Sequence, residues 1–346
     1  MAKHICIAII LSLTLVTSHV RAQGTEPIEA TQIFADVDAI VVFQLKLLEE
    51  HLNDDVKTGL ASTHEKLESL LSLDTSSCHE VIFQFGAPEY LWEDSRHISK
   101  TIGVLFRGAD GDEMSQEKID EFTERFQMEK HSYNEQVYFN RHDEPTFRFF
   151  DNSFQLCETE RLKALVDAEA KSLADREVDL LANVSRDSAI CIHFEFSKES
   201  FRSFFPLMLE GMRDLDAVES MKVIGANASS LTLTVDLDTE TPLQLVVETA
   251  EHGNTESLEE ATKEFAEAVQ GFAAVFQREI SVGAPTPEIR ETTSEFADAL
   301  VAWFAEPEIT SNDTSVTLTL NGSDPAKLTL NTLVKMLNAV GEMFLR

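Results

Sequence analysis

Three side chains in the second half of the chain are of the types that perform general acid–base catalysis: His193, Glu195 and Asp236. Proton transfer needs such groups to converge, and it needs burial or a neighbouring charge to shift a pKa. Apolar and polar residues alternate over 190–196 and 231–237, which predicts two strands that point these side chains to one face. Open sheet faces seldom provide a pocket. We therefore expect a solvated or partner-facing surface that consists of His193, Glu195, Thr232, Thr234 and Asp236.

The sequence lacks the usual catalytic and cofactor motifs. It has no Gly-x-Ser-x-Gly elbow, no glycine-rich phosphate loop, no dinucleotide fingerprint and no His-Glu-x-x-His helix. Only 13 of its 346 residues are glycine, which disfavours loops that wrap phosphate groups. We expect no catalytic residues and no cofactor.

Two further features have the residue types of a metal site without its spacing. Asp110–Glu113 combines acids with glycine, but the ligand spacing and closing glutamate of a calcium loop are absent. His131 and His142 are separated by eleven residues of mostly extended chain, too far to share a metal without a fold-back. We expect a solvated turn, surface histidines and no metal site.

The N-terminal residues predict a cleavable signal peptide over 1–22. Lys3 precedes a twelve-residue apolar run at 5–16, and small residues then precede a cleavage site after Ala22. A membrane-spanning helix needs about 20 apolar residues, and no later segment reaches that length. We expect an exported protein, periplasmic or extracellular, with no stable membrane anchor after cleavage.

The remaining cysteines are Cys78, Cys157 and Cys191, separated by 79 and 34 residues. No Cys-x-x-Cys pair occurs, which argues against zinc binding and thiol redox chemistry. At most one disulfide can form, and the sequence does not select its two members.

The chain is strongly acidic, with a formal net charge of −33. Such a surface repels nucleic acid and anionic lipid, while it is compatible with divalent cations, a basic partner or solubility in salt. Sequons at Asn183, Asn227, Asn312 and Asn321 have meaning only if a eukaryotic cell exports the protein.

A weak internal repeat predicts a duplicated α+β architecture. Ile40 and Ile82 lie 42 residues apart, and Ile190 and Leu231 lie 41 residues apart, at matching positions of predicted strands. We expect two tandem ferredoxin-like (βαββαβ) domains at 27–172 and 173–346, with an extra hairpin at 147–156 and additional helices. Their antiparallel sheets would have helices on one face.

Other patterns refine this expectation. Apolar residues recur at three- and four-residue steps over 256–277, which predicts a long amphipathic helix that covers a sheet. Second-half strands alternate and predict one wet face, while first-half strands such as 40–45 are apolar on both sides. The second face of the first sheet therefore needs a cover, either the Phe-rich hairpin or a partner protein.

Three segments together resemble a loose group of exported bacterial proteins of uncharacterised function: Phe34–Val42, Leu156–Leu162 and the apolar-Thr-apolar strand Leu231–Leu237. The resemblance implies export and duplicated α+β domains, and it offers no catalytic residues to transfer.

We therefore expect a non-enzymatic exported protein that binds a protein or an envelope component. Two alternatives remain open: an extracytoplasmic hydrolase of unrecognised type that uses the His193 face, and an acidic, calcium-dependent surface protein. The sequence does not define the ligand or the oligomeric state.

Overall fold

The structure is a computed structural model, and it describes residues 37–59, 61, 78–86, 102–108, 115–141, 146–150, 153–169, 184–185, 187–196, 217–283 and 286–345. The predicted signal peptide, Asp110–Glu113 and His142 lie outside the described residues.

The strands of the first half are β1 (Val37–Gln44), β2 (Cys78–Gly86), β3 (Ile102–Gly108), β4 (Glu129–Tyr133), β5 (Gln136–Asn140), β6 (Thr146–Phe149) and β7 (Ser153–Cys157). Those of the second half are β8 (Ile190–Glu195), β9 (Ala228–Val235), β10 (Leu243–Thr249), β11 (Glu308–Ser311) and β12 (Ser315–Leu320). The helices are α1 (Leu45–Glu50), α2 (Gln116–Arg125), α3 (Thr159–Glu169), α4 (Ala217–Asn227), α5 (Thr255–Gly283), α6 (Pro287–Trp303) and α7 (Ser323–Leu345).

All of these strands join one 12-stranded sheet in the order β11-β12-β10-β9-β8-β1-β2-β3-β7-β6-β5-β4. Every described strand pair is antiparallel. The two halves meet where β1 pairs with β8, from Ala39 opposite Phe194 to Phe43 opposite Ile190. The sheet is therefore continuous across the midpoint of the chain.

The predicted mixture of helices and antiparallel strands is confirmed, but two tandem ferredoxin-like domains are not. A split β-α-β unit joins parallel strands through a helix, whereas β1–β2 and β8–β9 are antiparallel neighbours. In each half, four neighbouring strands of the sheet instead follow the same order along the chain, β1-β2-β3-β7 and β8-β9-β10-β12. The predicted boundary at 172–173 lies outside the described residues and stays a prediction.

One face of the sheet is covered by helices along both halves. Leu45 and Leu48 of α1 contribute to this core in the first half, and Leu258 of α5 and Leu330 of α7 contribute in the second. Pro287 opens α6 directly after Thr286, whose hydroxyl accepts a hydrogen bond from the Ile289 amide at 3.2 Å. Such an N-cap satisfies a backbone donor that the helix itself leaves unpaired.

The opposite face of the first half is covered by α3. Leu162 and Leu165 of this helix pack with Ile40, Ile82 and Leu105 in a second buried cluster. Helices thus lie on both faces of the first half, because its strands are apolar on both sides and need two covers.

The Phe-rich hairpin, one of the two covers that the sequence suggested, is β6–β7 of the sheet itself. Its Phe147 and Phe149 pack against Phe122 of α2, with ring centroids 5.2 and 5.9 Å apart. Since both phenylalanines belong to the core on the first face, the expected position of the hairpin is wrong.

The segment after α1 is fixed to α7 by one buried side chain. The Asn331 side-chain amide donates to the His51 carbonyl at 3.0 Å, and its oxygen accepts from the Asn53 amide at 2.6 Å. A first-half loop is thereby attached to the last helix.

Within the described residues, no helix has the length and apolar character needed to cross a membrane.

Candidate functional site

The second half leaves one sheet face polar, opposite the helix-covered side. We call it the hydroxyl face. The backbone register sets its side chains in three rows across β9, β10 and β12. These rows are Ser230, Glu248 and Ser315, then Thr232, Val246 and Thr317, then Thr234, Gln244 and Thr319. All are exposed or half-buried except Ser230, which is buried.

The alternation predicted from the sequence produces this face. Residues between the row positions, such as Leu245, Val316 and Leu318, are buried under the helices. Thr232 and Thr234 lie on the hydroxyl face, as expected, and both are half-buried. The neighbouring strand β11 extends the face with Thr310 and Glu308, which are paired with Thr317 and Thr319.

His193 differs from the expectation of an exposed side chain. It lies opposite Ile40 of β1 and Thr232 of β9, and its relative exposure is 0%. Its Nδ1 is 2.8 Å from the Thr232 hydroxyl oxygen, while Nε2 has no hydrogen-bond partner among the described residues. Burial lowers the pKa of His193, and the nearby Glu248 carboxylate only partly opposes this shift. The sequence pattern gives the face of a side chain but not whether a neighbouring element covers it.

Glu195 and Asp236 do not converge with His193. Glu195 is half-buried opposite Ser230, two positions along β8 from the histidine. Asp236 lies in the β9–β10 turn, where its Oδ1 accepts from the Asp238 amide at 3.1 Å. Since Asp236 follows Thr232 by four residues of extended chain, it lies about 13 Å further along the strand. The three side chains therefore do not form an acid–base set.

The described residues contain no group of three or more His, Cys, Asp or Glu side chains placed to hold a metal ion. His131 stacks on Tyr138 with ring centroids 5.3 Å apart, and its Nε2 lies 3.9 Å from a Glu129 carboxylate oxygen. It is a partly exposed surface histidine, as expected.

Within the described part of the chain, Cys78, Cys157 and Cys191 are unpaired and buried. Burial raises the pKa of Cys78 and of Cys157 to about 12, and it also raises the pKa of Cys191. The thiolate is the reactive form of cysteine, so these thiols are poor nucleophiles near neutral pH. The disulfide that the sequence left open does not form in this structure.

Sequence reasoning missed a buried polar cluster in the first half. Gln44, Glu80 and Arg107 lie opposite one another on β1, β2 and β3. The Arg107 guanidinium donates to Glu80 Oε2 at 2.6 Å, and the Gln44 amide donates to Glu80 Oε1 at 2.5 Å. Glu80 is 0% exposed and Arg107 6%. The detectable signal was one acid and one base, each the single Asp, Glu, Lys or Arg of its strand, in two strands that follow each other along the chain.

Comparisons with known proteins give no family. No family model matches the chain. No curated protein matches it. Among solved structures, one described as "Structure of crystal form I of TP0453" aligns with a TM-score of 0.42 and 6% sequence identity. The alignment covers 90% of this chain and 99% of that chain.

Proposed function

We propose that this chain is an exported, non-enzymatic binding protein that holds a protein or an envelope component on the hydroxyl face. The observation that carries the proposal is the hydroxyl face itself, where threonine, serine and amide groups lie in register over several strands. Such groups donate and accept hydrogen bonds without any change of protonation.

The arrangement of the face favours binding over catalysis. A sheet surface with rows of side chains at strand spacing offers many equivalent contacts and no single reacting point. His193, the residue on which the hydrolase alternative depends, has its Nδ1 engaged by Thr232 and is removed from solvent. The hydrolase alternative stays a prediction, and an activity that survives His193→Ala would exclude that site.

Duplication of one four-stranded unit accounts for the two halves. In each half four strands lie side by side in the same order along the chain, β1-β2-β3-β7 and β8-β9-β10-β12. The helices after the fourth strands, α3 and α7, lie on opposite faces of the sheet, so the repeat is limited to the strands. The exported location rests on the predicted signal peptide at 1–22 and is part of the proposal.

The test changes the hydroxyl face without changing its charge. Residues 23–346 would be immobilised, and saturable retention of components from an envelope extract would be measured. Replacement of Thr317 and Thr319 by glutamine enlarges two half-buried face side chains and should reduce retention at least tenfold. The matched control is Thr58→Gln with Val301→Gln, both exposed and outside the hydroxyl face, and it should retain normally.

Retention that is not saturable, or that both double variants reduce equally, would refute the proposal. Thermal unfolding of each variant establishes that the fold is intact before retention is compared.

A further inference from the structure

We propose that the partner of the hydroxyl face is a lysine- or arginine-rich protein segment, an inference that rests on the proposed function. The observation is the charge of the surface around the face. Residues 187–196, 228–254 and 308–322, which supply β8 to β12 and the turns next to them, contain nine acidic residues and no lysine or arginine.

Three of these carboxylates lie on the face itself, by register. Glu195 and Glu248 flank Ser230 on the two neighbouring strands, and Glu308 lies opposite Thr319 at the edge. Glu248 and Glu308 are exposed, and neither has a lysine or arginine partner among the described residues. The Ser230 hydroxyl donates to Glu248 Oε2 at 3.0 Å and fixes the orientation of that carboxylate.

The helical surface of the same half is different. There, Lys222 pairs with Glu219 at 2.8 Å, and Lys335 pairs with Glu295 at 2.7 Å. Basic residues therefore neutralise part of the helical side but are absent from the strands. The strand segments have a formal charge of −9 over 52 residues, and the four helices α4 to α7 have −7 over 80 residues. The strand side of this half is therefore more acidic per residue, and it has no basic side chain to offset its carboxylates.

A cationic segment matches this face in both charge and hydrogen bonding. Lysine and arginine side chains are donors only, and carboxylate, hydroxyl and amide oxygens all accept. An anionic partner would be repelled, and a second copy of the chain would bring the same carboxylates against themselves. An apolar partner finds only Val246 among the row positions.

The size of the face determines how tight such binding can be. The four strands β9, β10, β12 and β11 span about 14 Å, and the three rows extend about 13 Å along the strands, which gives an area of roughly 190 Å². A standard interface buries about 800 Å² per partner. Binding is therefore weak, dominated by charge and strongly reduced by salt.

The experiment measures binding of a labelled ten-residue oligolysine peptide to residues 23–346 of the protein. An oligoglutamate peptide of equal length serves for comparison. Fluorescence anisotropy at low and rising salt gives the Kd. The variant Glu248→Gln with Glu308→Gln removes two face charges, and Glu256→Gln with Glu260→Gln removes two exposed charges from α5. The face variant should weaken oligolysine binding about tenfold and flatten its salt dependence, and the helix variant less than twofold.

Equal weakening by both variants would overturn the inference, since it would show general attraction to an acidic protein. No binding of oligolysine, or equal binding of oligoglutamate, would overturn it as well. The Thr317→Gln and Thr319→Gln variant separates the two proposals. If it abolishes envelope retention while the face-charge variant retains normally, the hydroxyl face binds a partner that is not cationic.

Discussion

Glu80→Gln removes the negative charge from the buried cluster and leaves a side chain of nearly the same shape. Arg107 donates to this carboxylate at 2.6 Å, and its side chain is only 7% exposed. After the substitution the guanidinium stays buried and loses its contact with the Glu80 carboxylate. Breaking a buried ion pair in this way costs about 3–5 kcal/mol. That is a large part of the 5–15 kcal/mol by which a typical domain is stable.

The assay is denaturant unfolding of Glu80→Gln, Arg107→Met, and a triple variant with Glu80→Leu, Arg107→Met and Gln44→Leu. Each single variant should lose about 3 kcal/mol or more of unfolding free energy. The triple variant should lose much less than the two single losses together, because buried polar clusters replaced by apolar groups are often close to neutral.

The matched control is Glu219→Gln, which breaks the Glu219–Lys222 pair at 2.8 Å on the surface of α4. Surface pairs contribute about 0–1 kcal/mol, so this change should be nearly silent. A loss below about 1 kcal/mol for Glu80→Gln, or additive losses in the triple variant, would refute the reasoning that burial makes this pair critical.

Three further results are expected. Folding lowers the pKa of His193 below its usual 6.5, so the unfolded chain binds the proton more tightly than the folded chain does. The unfolding free energy therefore decreases as the pH falls below about 6.5, by at most about 1.36 kcal/mol per pH unit. His193→Gln should remove this part of the pH dependence of unfolding. Cys78 and Cys157, with pKa values of about 12, should react with a thiol reagent at pH 8 only after unfolding. Asn331→Ala should cost about 1–3 kcal/mol, since two hydrogen bonds to the 51–53 segment are lost.

Each of these expectations has a clear contradiction. The first would be contradicted if the unfolding free energy of His193→Gln depended on pH as it does in the parent chain. The second would be contradicted if Cys78 in the folded protein reacted as fast as free cysteine, and the third if Asn331→Ala unfolded at the same denaturant concentration as the parent. Asn321→Ala, at an exposed position directly after β12, is the control for the last measurement.

Strand alternation was the most informative part of the sequence. Along β9 and β12, side chains alternate between the two faces of the sheet at every residue. This alternation turns the apolar residues toward the helices and the threonines toward the hydroxyl face. The long helix predicted at 256–277 lies within α5, and Leu258 and Ala261 of its predicted apolar face are buried. Short-range periodicity carried this information.

The neighbour of each strand could not be deduced in the same way. A strand that is apolar on both faces, such as β1, can pair with several others, and its pattern does not select between an antiparallel neighbour and a split β-α-β crossover. The burial of His193 also depends on which elements fold over it. Glu80 and Arg107 were individually visible, but their contact depends on the β2–β3 register.

The β1–β8 ladder sets an order of events during synthesis. Phe43 pairs with Ile190, so the partner strand of β1 is translated almost 150 residues later. At 5–20 residues per second a ribosome needs roughly 7–30 s for that interval. During this time β1 has no β8 beside it, and an unpaired strand edge is a template for association with other chains. A nascent chain that is held unfolded until its second half has been made avoids this exposure.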